Sequence, residues 1–372
     1  MKNAFFNLIM ANSKTKDIAC LYNPKAGAFE DLKTPDKLTG FIGCFHADYQ
    51  CYAYKDKSGH IKLFGGRMGQ GAKEIDLGIK ETGKPVKFIT INNNIYFYCY
   101  AGGEGGEFLY RFSFDDGWKL VLKGERIISL APYSQKLEDI CLLTIGFNDA
   151  EGGYTAKFYI SYDNGITWSL NNDDVRSLSV GSNSLINIDK SSSGIYGSSA
   201  ESNYVFHREN DGFWMGTMEC NSDDGYSAMY TQNEYVYLAT KNNKQYISTN
   251  REDVKLVSDI SVDDLPHYLF NKNDVVVYSK NSQRFYRSEN KGLPATYKQH
   301  NSLSLIDGGT AYLNSIQQIT SSEGSIVLID KGLTTNKVYL SEDFGAKWKD
   351  ITKPLIDKLG DVDYVINYAW GS

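Results

Sequence analysis

Apolar and polar residues alternate along this chain in short runs of strand length, separated by clusters of Gly, Asn, Asp and Ser. Val86–Ile91, Asn94–Ala101, Phe108–Ser113 and Trp118–Lys123 form one such set, joined by Asn92-Asn93 and the Gly102–Glu107 run. Ser315–Thr320, Ile326–Asp330, Lys337–Ser341 and Lys347–Ile351 form a second, and Phe41–Ala47, Gln50–Asp56, His60–Gly66 and Ala72–Gly78 a third. Period-two alternation between turn formers predicts β-strands whose side chains point to opposite faces. Helical periodicity is weak everywhere and surfaces only over Asp350–Leu359. The expected fold class is therefore all-β, built from antiparallel four-strand units.

One connection is more specific than the rest. Ser161-Tyr162-Asp163-Asn164-Gly165-Ile166-Thr167-Trp168 reads S-x-D-x-G-x-T-W and follows the strand-like run Ala156–Ile160. Asp and Asn can bond their own downstream amides, Gly supplies a positive φ, and Thr and Trp suit the returning strand. Ser341, Asp343, Gly345 and Trp348 repeat the pattern at the same offsets, and Ser113, Asp115, Gly117 and Trp118 repeat it with a shortened turn. Degraded copies follow Tyr204, Tyr246 and Phe285. The motif resembles the Asp box, the turn repeated in sialidases, sortilin-type receptors and several glycoside-hydrolase β-propellers.

The resemblance implies a β-propeller, and the spacing is consistent with it. Markers at Ser113, Ser161, His207, Ser248, Ser288 and Ser341 stand about 40–53 residues apart, close to the ~40–50 residues of a four-stranded blade. One further unit lies upstream, around Phe64. The strand-like segment Asn3–Ala11 and the strand–turn–strand run Ile18–Leu32 lack one strand, which Asp363–Trp370 would supply. The expectation is a single β-propeller domain over 1–372 with eight blades, seven being the alternative, closed by 1–35 together with 361–372. Such closure removes open edge strands.

Composition narrows the function. A net charge of −6 and a pI near 5.5 argue against a nucleic-acid footprint. The 27 Tyr and 34 Gly suit short strands and tight turns. Cysteines at 20, 44, 51, 99, 141 and 220 show no zinc spacing and read as buried free thiols, with a Cys44–Cys51 disulfide left open. The Gly65–Gly71 loop lacks the spacing and the following helix of a phosphate cradle. No N-x-[ST] sequon occurs. Residues 1–11 are too short and too interrupted for a cleaved signal peptide, and no stretch approaches ~18 apolar residues. The expected protein is soluble, cytoplasmic or placed on a virion or outside the cell by a signal-independent route.

Sialidases hold a carboxylate with three arginines, one within Arg-Ile-Pro, and use a Tyr/Glu pair and an Asp. This sequence has no Arg-Ile-Pro, and its eight arginines (67, 111, 126, 176, 208, 251, 284 and 287) include four beside third strands and marker turns. The reading therefore leans away from an enzyme and names no catalytic residue, no metal site and no cofactor. Neither Asp-Asp-Gly, at 115–117 or 223–225, fits a calcium loop. In propellers of this kind ligands meet the face opposite the Asp-box turns. The large connections Phe147–Thr155, Asn171–Asn183, Ser258–Pro266, His300–Asn314 and Lys331–Asn336 fall there, and Asp149, Glu151, Tyr154, Arg176 and Tyr312 are the candidate ligand contacts. The expected function is non-catalytic recognition or assembly through a glycan or protein ligand, as in a viral, phage or bacterial surface component. Nucleic acid and membrane insertion are excluded as partners, and an oligomer or larger assembly is compatible. The alternative is a glycoside hydrolase with carboxylates such as Asp149, Glu151, Asp173, Asp174, Asp263 and Asp264 dispersed over several blades.

Overall fold

The alternating runs become antiparallel strands joined mostly to their nearest neighbours in sequence. The computed structural model describes residues 6–12, 17–23, 28–31, 39–46, 49–67, 72–101, 106–133, 136, 138–148, 153–171, 185–191, 194–199, 205–208, 215–217, 226–232, 234–240, 242–248, 254–261, 266–279, 284–322, 325–359 and 364–370. Within these, strands pair into four-stranded sheets spanning 39–75, 83–123, 126–170, 185–217, 226–256, 267–299 and 316–350. Another joins Phe6–Asn12, Asp17–Asn23 and Ala28–Asp31 to Tyr364–Trp370, with Phe6 opposite Trp370 and Asn12 opposite Tyr364. The weak helical signal at 350–359 forms the helix α1, Thr352–Leu359. Among the described residues no helix is long and apolar enough to cross a membrane.

Burial follows strand position. Second strands are almost wholly buried: Tyr49–Lys55, Asn94–Ala101 and Ser325–Asp330 are covered on both faces. That explains why they read as nearly continuous apolar runs. The short fourth strands, such as Ser169–Leu170, lie exposed. Faces of neighbouring sheets share cores. Val276, Tyr278 and Phe285 pack with Ile326, Leu328, Tyr339 and Trp348, and Tyr96, Tyr98 and Leu109 pack with Ile127, Leu130, Ile140 and Leu142. These are blades of the β-propeller type.

The expected count of eight blades, or seven, is corrected. Six four-stranded sheets (39–75, 83–123, 126–170, 226–256, 267–299 and 316–350) are described with their buried side chains and make six packed blades. For 185–217 and for 6–31 with 364–370 the description is of backbone pairing. The spacing of turn markers counts hydrogen-bonded ladders, which are local. A blade also requires covered faces, and the marker carries no information about those. The chain divides into two compact units, Met1–Gly78 with His267–Ser372, and Ile79–Pro266.

The turns that end the third strands share one geometry. Ser161 Oγ accepts from Gly165 N at 2.7 Å and donates to Asp163 Oδ1 at 2.7 Å. Ser341 does the same with Gly345 N at 2.7 Å and Asp343 at 2.9 Å. Ser288 Oγ accepts from Gly292 N and Asn290 N, both at 3.1 Å, so the copy after Phe285 keeps the turn with Asn290 in place of Asp. In all three the two last turn residues are left-handed: Asn164 and Gly165, Lys291 and Gly292, Phe344 and Gly345. At Gly165 a Cβ would also stand 3.0 Å from Ile140 Cδ1 and Tyr96 Cε1. The 113–118 turn departs from expectation. Asp116, not Asp115, meets Ser113 Oγ, through both its amide at 3.1 Å and its carboxylate at 3.2 Å. Shortening the turn shifts the acidic position by one residue.

Candidate functional site

The ends of the blades away from these turns carry a second recurring feature. The first strand lies at one edge of each sheet. In Gly83–Ile91 the register slips between Pro85 and Lys87, and in Arg126–Pro132 between Ile127 and Ser129. The same slip recurs near the start of the first strands of the 39–75, 185–217, 226–256 and 316–350 sheets. A bulge adds one residue without a ladder partner and re-aims its side chain. Here the added residues are Val86 and Ile128.

Val86 and Ile128 line one open cleft of about 630 Å³, together with Lys84, Tyr98, Tyr100, Glu107, Arg126 and Ile127. The cleft lies within the 79–266 unit, between adjacent blades. Its lining comes from the starts of first and third strands and the end of a second strand. It therefore sits at the two-to-three and four-to-one connections, opposite the Ser-x-Asp-x-Gly turns.

Two anchored carboxylates frame it. Glu107, half-buried, accepts from Ile127 N at 2.7 Å across the blade boundary. Burial raises its pKa, and the Ile127 amide, Arg126 and Lys84 offset that only in part. Tyr98 is pushed up to about 12 by burial and then by Glu107. On the other side Glu125 turns back into its own blade, accepting from Thr144 Oγ1 at 2.5 Å, Lys157 Nζ at 2.6 Å and Tyr159 Oη at 2.8 Å. Arg126 thus projects from a backbone fixed on both sides. Lys84 and Arg126 are exposed, and among the described residues neither forms a contact ion pair. Tyr100 is 40% exposed and presents part of its ring.

The sequence-derived candidates fare unevenly. Asp149, Glu151 and Arg176 lie outside the described residues, as do Asp173, Asp174, Asp263 and Asp264. Tyr154 lies on Gly153–Ser161 opposite Phe147. Tyr312 is 75% exposed on the strand Thr310–Tyr312, which belongs to the other compact unit. Of the five ligand candidates, only Tyr154 and Tyr312 fall among the described residues. Arg111 and Arg287 serve the turn end. Arg111 lies 3.5 Å from Asp116, and Arg287 binds Phe344 O at 3.0 Å, Asp274 at 3.1 Å and Glu289 at 2.6 Å. Cys44 and Cys51 stand directly opposite in their ladder without a disulfide between them, and the Cys51 thiol donates to Cys44 O. No metal-holding cluster of His, Cys, Asp and Glu occurs among the described residues.

The cleft residues themselves were missed. Glu107 reads in the sequence as the end of a connector, and Arg126 as one arginine among eight. One signal stood directly before the run Val86–Ile91: Pro85 cannot donate to a ladder, so a strand that extends through it is an edge strand or bulged.

Sheets of this kind, with a cleft at one end, define a β-propeller. No family model and no curated protein matches the sequence, so the Asp-box resemblance has no family support. Solved structures do match. AztD of Citrobacter koseri superposes with a TM-score of 0.58 at 11% identity, over 100% of this chain and 99% of that one. Its apo structure gives 0.57. An acylaminoacyl peptidase of Pyrococcus horikoshii gives 0.50 at 12% identity, over 85% of this chain and 53% of that one. At such identities the likeness speaks for fold alone.

Proposed function

We propose that this chain is a non-catalytic recognition β-propeller whose ligand, a glycan or a protein, binds in the cleft between Lys84, Tyr100 and Arg126. One observation carries the reading. Two bulged first strands of adjacent blades converge on that cleft, at the end opposite the Ser-x-Asp-x-Gly turns. A preformed concave site with apolar walls and a few convergent charges is the usual form of a binding site. The turns are read as Asp-box turns in a structural role, and the chain as one domain, its first and last described strands paired in one sheet.

The hydrolase reading keeps one specific observation, the 2.8 Å contact between Tyr159 Oη and Glu125 Oε1. Burial, followed by Glu125, raises the tyrosine's pKa, which keeps the proton on its oxygen and weakens it as a nucleophile. A glycan array and a peptide panel, run beside a hydrolysis screen of aryl glycosides, test the proposal. Binding lost in Arg126→Ala and Tyr100→Ala, without turnover in the parent, is the expected result. Turnover abolished by Glu107→Gln or Glu125→Gln overturns it.

A further inference from the structure

We infer that the cleft takes an acidic peptide segment in extended conformation, an inference that rests on the recognition reading above. Three features of the cleft converge on that ligand. Its walls offer aliphatic surface from Val86 and Ile128, while Ile127 and the Tyr98 ring are buried at 5% and 7% exposure and only Tyr100 presents an aromatic face. Sugar sites rely on exposed aromatic planes ringed by hydrogen-bonding groups, whereas aliphatic walls suit Val, Ile or Leu side chains.

The backbone matches a peptide as well. Gly83–Ile91 and Arg126–Pro132 are edge strands, and the bulges at Val86 and Ile128 leave further main-chain positions outside the ladder. An extended segment can pair with such groups while its alternate side chains enter the pocket.

Charge sets the sign. Lys84 and Arg126 stand exposed at the cleft and form no contact ion pair among the described residues, and the carboxylate beside them, Glu107, is already bonded to Ile127 N. Among the described residues that line it, the cleft therefore presents two cations against one carboxylate, on a chain whose net charge is −6. An Asp or Glu beside an apolar residue complements it. Arg126 is held for this by its neighbours: Ile127 N is tied to Glu107, and Glu125 is tied to Thr144, Lys157 and Tyr159.

A phage-displayed random-peptide library panned on the intact protein tests this, with selected peptides resynthesised and titrated. Enrichment of Asp or Glu next to Val, Ile or Leu is expected. Affinity should fall about tenfold or more in the Lys84→Glu, Arg126→Glu double variant and drop steeply with salt, as screened charge contacts do. The same peptides with Gln for Glu should bind about as weakly as the double variant binds the originals. Both substitutions are at exposed positions, and an unchanged unfolding temperature verifies the fold. Oligogalacturonate binding lost in the same double variant, with no peptide enriched, overturns the peptide assignment and keeps the cleft as the recognition site. Peptides that bind equally well to the double variant overturn both.

Discussion

Ser161 holds its turn by two bonds made at once, one accepted from Gly165 N and one donated to Asp163. The residue is 1% exposed, so removing its hydroxyl leaves a buried amide unpaired. Ser161→Ala should destabilise the protein by about 1–3 kcal/mol, read as a shift in urea midpoint, while Tyr162→Ala next to it should change stability by less than about 0.5 kcal/mol. Asp163 adds a pH dependence. Burial raises its carboxyl pKa, but bonds from the Thr167 hydroxyl and amide, Ser161 and Ile166 N outweigh this and hold it below the usual value. The stabilisation from this depressed value is therefore present above the unfolded carboxylate range, about 3.9, and is lost as pH falls through the native value. Melting temperatures between pH 6 and pH 2 should fall less steeply for Asp163→Asn than for the parent; equal slopes would refute the assignment.

At the scale of elements, side chains tie one strand or blade to the next. Glu125 and Lys157 are 13% and 19% exposed, a pair drawn largely out of water. Breaking such a pair strands a charge, so Glu125→Ala should cost about 3 kcal/mol of unfolding free energy, and Glu125→Leu with Lys157→Met should recover most of it. Arg287 links blades: its guanidinium reaches Phe344 O in the next blade's turn while holding Asp274 in its own. Little of this was legible beforehand. The Ser and Gly positions of the turns could be read from spacing, even at Ser288, where Asn290 replaces the acid. The Glu125 network joins a connection to residues of two strands that only folding brings together, and the bulges at Val86 and Ile128 arise from pairing register.

For the whole molecule, burial sets the reactivity of the described thiols. Cys44, Cys51, Cys99 and Cys141 are all buried and none is disulfide-bonded. Burial, followed by the charge of Glu107, pushes the Cys99 thiol up to about 12, and burial also raises Cys51. Iodoacetamide labelling near pH 8, mapped by mass spectrometry, should leave these four unmodified in the native protein and label them in urea. The Phe6–Asn12 strand depends on Tyr364–Trp370 for one of its two neighbours. Deleting 364–370 should open that edge, lower the melting temperature and promote aggregation visible by light scattering.

By itself the sequence determined the period-two strands, the turn chemistry of Ser161, Ser341 and Gly165, and the partnership of the two terminal strands. These depend on neighbours in the chain or on apolar alternation, both of which are written locally. The identity of the acidic residue in the 113–118 turn and the cleft of Lys84, Tyr100, Glu107 and Arg126 were decided by tertiary structure. Covered faces, slipped registers and charges meeting across a blade boundary depend on which distant residues come into contact, and no local pattern encodes that.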